Sequence, residues 1–218
     1  MKKFPLMLFL LFSALCACSM NRPDWPAKLK LAEAEAQEYR MTFSEEHFNK
    51  ALNLYDEIIS QSPDYRNYAL ASKAILMRNA YKFKDALDLL EQIPDTAAVF
   101  LPYSSKSIFT NLTLTEKYEL ECDFETSKMY LEKANEELGL LLDSRKAHIY
   151  SAICSPVPSG GYYEDEDIAP FLYYLQYMLQ YDHVRVKDVI IAWEDGVPCP
   201  NEHSEFFFNG IKEMFGVK

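Results

Sequence analysis

The chain has 218 residues, 33 acidic against 22 basic side chains for a formal net charge of −11 at pH 7, and a composition 49% hydrophobic and 14% aromatic. That charge repels nucleic acid and anionic headgroups, which are bound through Lys and Arg. The apolar content excludes a disordered chain and suffices for one domain, or one short repeat array, with a sizeable core.

Met1-Lys2-Lys3 supplies a positive start, Phe4 to Leu15 an apolar stretch and Ala17 a small residue, the order found in an export signal. Phe4 to Ala17 is too short for the roughly 20 apolar residues that span a bilayer. Leu15-Cys16-Ala17-Cys18 resembles the lipobox of bacterial lipoproteins. The resemblance implies a signal peptide over 1–17, cleavage after Ala17, acylation of the Cys18 sulfur and a tether over 18–26. Two or three acyl chains, at about 0.8 kcal/mol per buried CH₂, anchor a protein durably. Ser19 stands where similar lipoproteins retained at the inner membrane carry aspartate, which implies the periplasmic face of the outer membrane. Loss of Lys2 and Lys3 takes the body two charges further negative, which keeps it soluble or draws a cationic partner.

Glycine is scarce, 6 residues in all, and from Asp24 to about Ser155 helical apolar periodicity alternates with short polar punctuation. This predicts an all-α fold. Asp24 before Trp25-Pro26 opens the first helix, with Leu29, Ala32, Ala36 and Tyr39 on one face. Ser44-Glu45-Glu46 opens a second, whose apolar face runs through Phe48, Ala51, Leu52, Tyr55, Ile58 and Ile59 and which ends at Pro63-Asp64.

The spacing then recurs. Phe48, Ala51, Tyr55 and Ile58 return 35 residues later as Phe83, Ala86, Leu90 and Ile93, and 41 residues further on as Phe124, Ser127, Leu131 and Ala134. Leu70, Ala74 and Met77 precede the second set and Leu114, Thr115 and Tyr118 the third, at the spacing of an antiparallel helix. Over roughly Ala27 to Leu140 the chain resembles the tetratricopeptide repeat family, with its unit of roughly 34 residues. Ile58 and Ile93 replace an alanine of the family pattern, Ser127 replaces another, and Tyr81 and Cys122 replace the turn glycine, so the array is degenerate. The resemblance implies a short solenoid of helical hairpins over 27–155, with partners bound on the face lined by the first helix of each repeat. Carried over, those positions are Tyr68, Ala71, Ile75, Arg78 and Asn79, then Phe109, Leu112, Glu116, Glu119 and Leu120. Tyr68, Arg78, Asn79, Phe109, Glu116 and Glu119 are the candidate partner-binding side chains.

Pro156 to Glu166 breaks the pattern as a loop. In the remaining 156–218, Pro170 to Tyr181 and Val184 to Trp193 predict another hairpin joined at Asp182-His183. Ser204 to Phe215 predicts a capping helix opened by Ser204, with Phe206, Phe207, Phe208, Ile211 and Phe215 as its apolar face. Tyrosines at 162, 163, 173, 174, 177 and 181 offer core packing or a second surface.

Catalytic signals are few. Glu164 to Asp167 matches no complete calcium loop, and His47, His148, His183 and His203 show neither HExxH nor CxxC spacing, so no metal or cofactor is expected. Cys199 and His203 are close in sequence, but a proline-rich loop is a poor place for a preorganised nucleophile and base. With Cys16 lost and Cys18 acylated, Cys122, Cys154 and Cys199 remain; an oxidising compartment favours a Cys154–Cys199 disulfide, the other outcome being three thiols packed as small hydrophobes. The expected protein is therefore a non-enzymatic envelope adaptor for a protein or peptide. Its rivals are an inhibitor or immunity-type lipoprotein acting on one cationic protein, and an enzyme or metal-dependent factor built on the C-terminal third.

Overall fold

A computed structural model describes residues 23–97, 105–155 and 168–217. Among these, every regular element is an α-helix: α1 (Trp25–Thr42), α2 (Glu45–Gln61), α3 (Arg66–Asn79), α4 (Phe83–Glu91), α5 (Lys106–Leu120), α6 (Phe124–Ile153), α7 (Ala169–Tyr181), α8 (His183–Asp195) and α9 (Glu202–Met214). The chain divides into two compact units, Met1–Ala80 and Tyr81–Lys218. The leader, Cys18 and the acidic run Glu164 to Asp167 lie outside the described residues, as do Tyr162 and Tyr163.

In the first unit α1 packs on α2, α2 on α3, and α1 also meets α3. Asp24 caps α1 by accepting the Ala27 N–H at 3.0 Å, an acceptor for one of the unpaired donors of a first turn. Ala32, Ala51 and Ala74 are fully buried, and the absence of bulk there brings the helix backbones together. Around them close Phe48, Tyr55, Ile58, Leu70 and Leu76. The buried Tyr55 is hydrogen-bonded to Ser72, whose hydroxyl donates to Glu33 at 3.3 Å, so one polar chain joins α2, α3 and α1. At the margins Lys28 pairs with Glu57, and His47 Nδ1 lies 2.6 Å from Glu35.

In the second unit α4 packs on α5 and α5 on α6. Lys106 Nζ donates to the Ile93 carbonyl at 2.7 Å and pairs with Asp95 at 2.9 Å, tying the start of α5 to the end of α4. The 30 residues of α6 make it about 45 Å long. The repeat resemblance stops near Leu140, but the helix continues to Ile153, packs on α7 and α9 and is tied to α8 by a hydrogen bond from Tyr150 to Trp193. Gly139 permits one close approach there: a Cβ on it would lie 3.4 Å from the Tyr174 hydroxyl. One core runs from Ile108 and Leu112 through Leu138 and Ile149 to Phe171, Ile190, Trp193 and Phe208.

The recurring apolar sets face inward. Phe48, Ala51, Tyr55 and Ile58 are buried, as are Phe83, Ala86, Leu90 and Ile93 and, in the third set, Ser127, Leu131 and Ala134; Phe124 alone is 65% exposed. Phe43, Tyr81 and Cys122, each two residues ahead of the next helix, take positive φ of 54°, 57° and 60°. A left-handed residue is how a helix commonly ends, and glycine is its usual occupant. The sequence reading of α9 needs two corrections: Phe206, placed on its apolar face, is 70% exposed, and the cap lies earlier. The helix begins at Glu202, not Ser204, and Asn201 is its cap: Asn201 accepts the His203 and Ser204 N–H groups at 3.1 and 3.0 Å, while Ser204 Oγ accepts the Asn201 N–H at 2.9 Å. Ser204 is thus the returning half of a capping box.

Candidate functional site

Ser127, Leu131 and Asn135 stand at i, i+4 and i+8 on α6, in one row along the face turned to the protein interior. Above this row the second unit leaves a cleft of about 430 Å³ between the end of α5, the first half of α6 and the α7–α8 junction. Leu131 and Met178 form an apolar part of its wall, and Ser127 and Asn135 add a hydroxyl and a carboxamide, all four being buried. Phe124 stands at the edge, and Glu119, Lys128, Glu132, Asp182 and Arg185 supply charges.

Several of these charges have local roles. Asp182 caps α8 by accepting the Arg185 N–H at 2.9 Å. Lys128 and Glu132 lie 3.9 Å apart, one turn from each other. The Arg185 side chain is hydrogen-bonded to the Tyr174 hydroxyl; burial raises the pKa of Tyr174, and Arg185 opposes that rise. Carboxamide, hydroxyl and apolar surfaces held in a partly enclosed space, with charges among them, are the make-up of a binding site.

A second hollow, about 440 Å³, lies along the start of α4 and the end of α5 and includes Tyr81, Lys84, Lys117 and Leu120. Its lysines are engaged: Lys84 pairs with Asp88 at 2.7 Å and Lys117 with Glu121 at 3.2 Å.

The candidate partner-binding residues divide between the two units. Tyr68, Arg78 and Asn79 belong to α3 in the first, where Tyr68 is exposed, Asn79 half-buried and Arg78 buried. Phe109, Glu116 and Glu119 belong to α5 in the second, where Phe109 is buried and the two glutamates half-buried. Of the six, Glu119 lines the cleft. Sequence reasoning missed Asn135, and took Ser127 for a worn copy of a repeat alanine. The signal was present: two polar residues in register with a row of apolar ones.

Cys122, Cys154 and Cys199 are free thiols. The structure does bring the disulfide candidates together, since Cys154 Sγ donates to the Cys199 carbonyl at 3.8 Å and the Asn201 carboxamide donates to the Cys154 carbonyl at 2.9 Å. Among the described residues no three His, Cys, Asp or Glu side chains converge as metal ligands. Within the same residues no helix is long and apolar enough to cross a membrane. No family model, curated protein or solved structure matches this chain.

Proposed function

We propose that the protein is a lipid-anchored adaptor of a bacterial envelope, a degenerate tetratricopeptide-like helical body that holds a partner polypeptide. Support for the repeat reading comes from the recurring sets of the alternate helices α2, α4 and α6, which face inward except at Phe124, and from the left-handed residue two positions before each of these helices. The single observation that carries the adaptor reading is Phe124. At the matching positions Phe48 and Phe83 are each 8% exposed and serve the core, whereas Phe124 is 65% exposed at the edge of the cleft. Leu120, four residues earlier across the turn, is 61% exposed. An aromatic and an aliphatic side chain outside the core, next to a charged cleft, are the parts of an interface anchor.

The test is capture of partners from the native envelope by the full chain and by a Leu120→Ser, Phe124→Ser variant whose circular dichroism is unchanged. A partner bound by the wild type and lost, by about tenfold or more, in the variant supports the reading, that loss being about 1.4 kcal/mol. Equal capture overturns it. For the anchor, Cys18→Ala is expected to move the protein from the membrane to the soluble fraction; retention on the membrane refutes acylation at Cys18.

A further inference from the structure

Ser127 and Asn135 are 3% and 6% exposed, and neither side chain has a hydrogen-bond partner among the described residues. Other buried hydroxyls of the second unit are satisfied within the chain: Thr113 donates to the Phe109 carbonyl at 2.8 Å, Thr115 to that of Asn111 at 2.9 Å, and Ser204 completes the α9 cap. A buried carboxamide gives up two donor hydrogens and an acceptor to water, and without replacements it destabilises the fold. Native proteins keep few such groups. Both of these line one cleft, and they cannot serve each other, being about 12 Å apart along α6 with Leu131 between them. Leucine would fill the Asn135 position with similar volume and no desolvation loss, so the polar group there serves something other than packing.

We propose that this cleft holds an uncharged, aliphatic segment of extended polypeptide, a reading that deepens the adaptor function above and rests on it for the ligand being part of a partner protein. The charges around the cleft select neither sign. Lys128 and Glu132 oppose each other at 3.9 Å, Arg185 keeps its positive charge beside the carboxylate that caps its helix, Asp182, and Glu119 already has an interaction partner. Lys128, Glu132, Asp182 and Arg185 are exposed, so water solvates them without a ligand. What the cleft leaves unmet is neutral, one hydroxyl and one carboxamide. The Asn135 carboxamide presents a donor and an acceptor side by side, the complement of a peptide N–H and C=O. A ligand that also reaches Ser127, about 12 Å along the helix, must repeat such groups over its length, and an extended chain does so within about four residues. In a helix those groups are already paired with one another, so the bound segment is extended. Leu131 and Met178 form the wall between the two polar positions, which places an aliphatic side chain of the ligand against them.

The experiment titrates the full chain, labelled with ¹⁵N at asparagine, with the uncharged probe acetyl-alanyl-leucyl-leucyl-alanine methylamide. The probe is expected to shift the Asn135 side-chain amide signals saturably. Its analogue with N-methylated peptide bonds, which lacks the N–H donors, is expected to bind about tenfold more weakly or not at all, and so are the analogues with lysine or glutamate in place of both leucines. Asn135→Leu is expected to abolish binding and to melt at the same or a higher temperature, and Ser127→Ala to weaken binding without lowering the melting temperature. No saturable shift would remove the site, equal binding of the N-methylated analogue would remove peptide recognition, and binding of either charged analogue as tight as the probe's would remove the preference for an uncharged ligand. A lower melting temperature in both variants would show that the two side chains serve the fold; each of these results overturns the proposal. Partner capture separates this proposal from the broader reading. If Asn135→Leu captures partners as well as wild type while Leu120→Ser, Phe124→Ser does not, the cleft proposal falls and the adaptor stands. If the probe binds and no partner is captured, the cleft stands as a peptide site and the adaptor falls.

Discussion

The Tyr150 hydroxyl donates to the Trp193 carbonyl at 2.9 Å, a buried hydrogen bond between residues 43 apart that ties α6 to α8. Their rings lie 5.3 Å apart, and the Phe171 ring packs 4.5 Å from that of Trp193. Tyr150→Phe is expected to cost about 1–2 kcal/mol, because the carbonyl is left buried without that donor. Gly196 depends on the same arrangement, since a Cβ there would stand 2.5 Å from the Tyr150 hydroxyl and 3.1 Å from the Ala192 carbonyl. Gly196→Ala is expected to cost about 1–3 kcal/mol by overpacking. In a double-mutant cycle followed by chemical denaturation the pair should cost less than the sum, as removing the hydroxyl relieves the closer clash; strict additivity would refute the contact.

Alkaline pH should weaken the first unit through Tyr55. Burial pushes its hydroxyl pKa well above the ordinary 10.0, Glu33 adds to the rise and the Ser72 hydrogen bond opposes it. The folded state therefore holds this proton where the unfolded state has released it. The stabilisation is complete below pH 10 and declines as the pH rises beyond it. Denaturation midpoints followed from about pH 8 to about pH 11 should fall for the wild type and fall less for Tyr55→Phe. Identical slopes would show that Tyr55 is not the linked group.

Cys154 and Cys199 should form an intramolecular disulfide on incubation with oxidised glutathione. The contact of the Cys154 sulfur with the Cys199 carbonyl at 3.8 Å places the two residues side by side, so that a local movement of the loop carrying Cys199 suffices to join their sulfurs. Through a mixed disulfide the two thiols give up their hydrogens and two molecules of reduced glutathione leave. Closing a span of 45 residues stabilises by up to about 4 kcal/mol. Peptide mapping without reductant should recover the 154–199 link and a raised Tm, with Cys122 outside it. A link through Cys122 instead would refute the pairing.

Asn201 joins the α9 cap to the end of α6, through the His203 and Ser204 N–H groups on one side and the Cys154 carbonyl at 2.9 Å on the other. Asn201→Ala is expected to cost about 1–2 kcal/mol in chemical denaturation, more than loss of an isolated cap residue. Asn201→Asp keeps the cap and loses the donor to Cys154, so it should fall between wild type and alanine. If aspartate matches wild type, the tie to α6 contributes nothing.

Much of the helical framework is legible in the order of the residues. Asp24 marks a helix start because its carboxylate accepts an unpaired first-turn N–H, Ser44 marks another through the extended backbone ahead of Glu45 and Glu46 in the first turn, and the faces of Phe48, Ala51, Tyr55 and Ile58 and of Phe83, Ala86, Leu90 and Ile93 follow from 3.6 residues per turn. By itself the sequence thus determined the helical class, the helix starts after Asp24 and Ser44 and the inward stripes of the first two recurring sets. Tertiary structure decided what covers each stripe. It buried Phe109 and Arg78, read as partner contacts, and turned Phe124 outward. It also divided the helices of the second repeat-like set at Ala80, brought Cys199 to Cys154, and set Ser127 and Asn135 against a cleft. The reason is physical. Caps and periodicity arise among residues within about two turns of one another, whereas burial of one residue on a face depends on segments dozens of residues away, which no local pattern specifies.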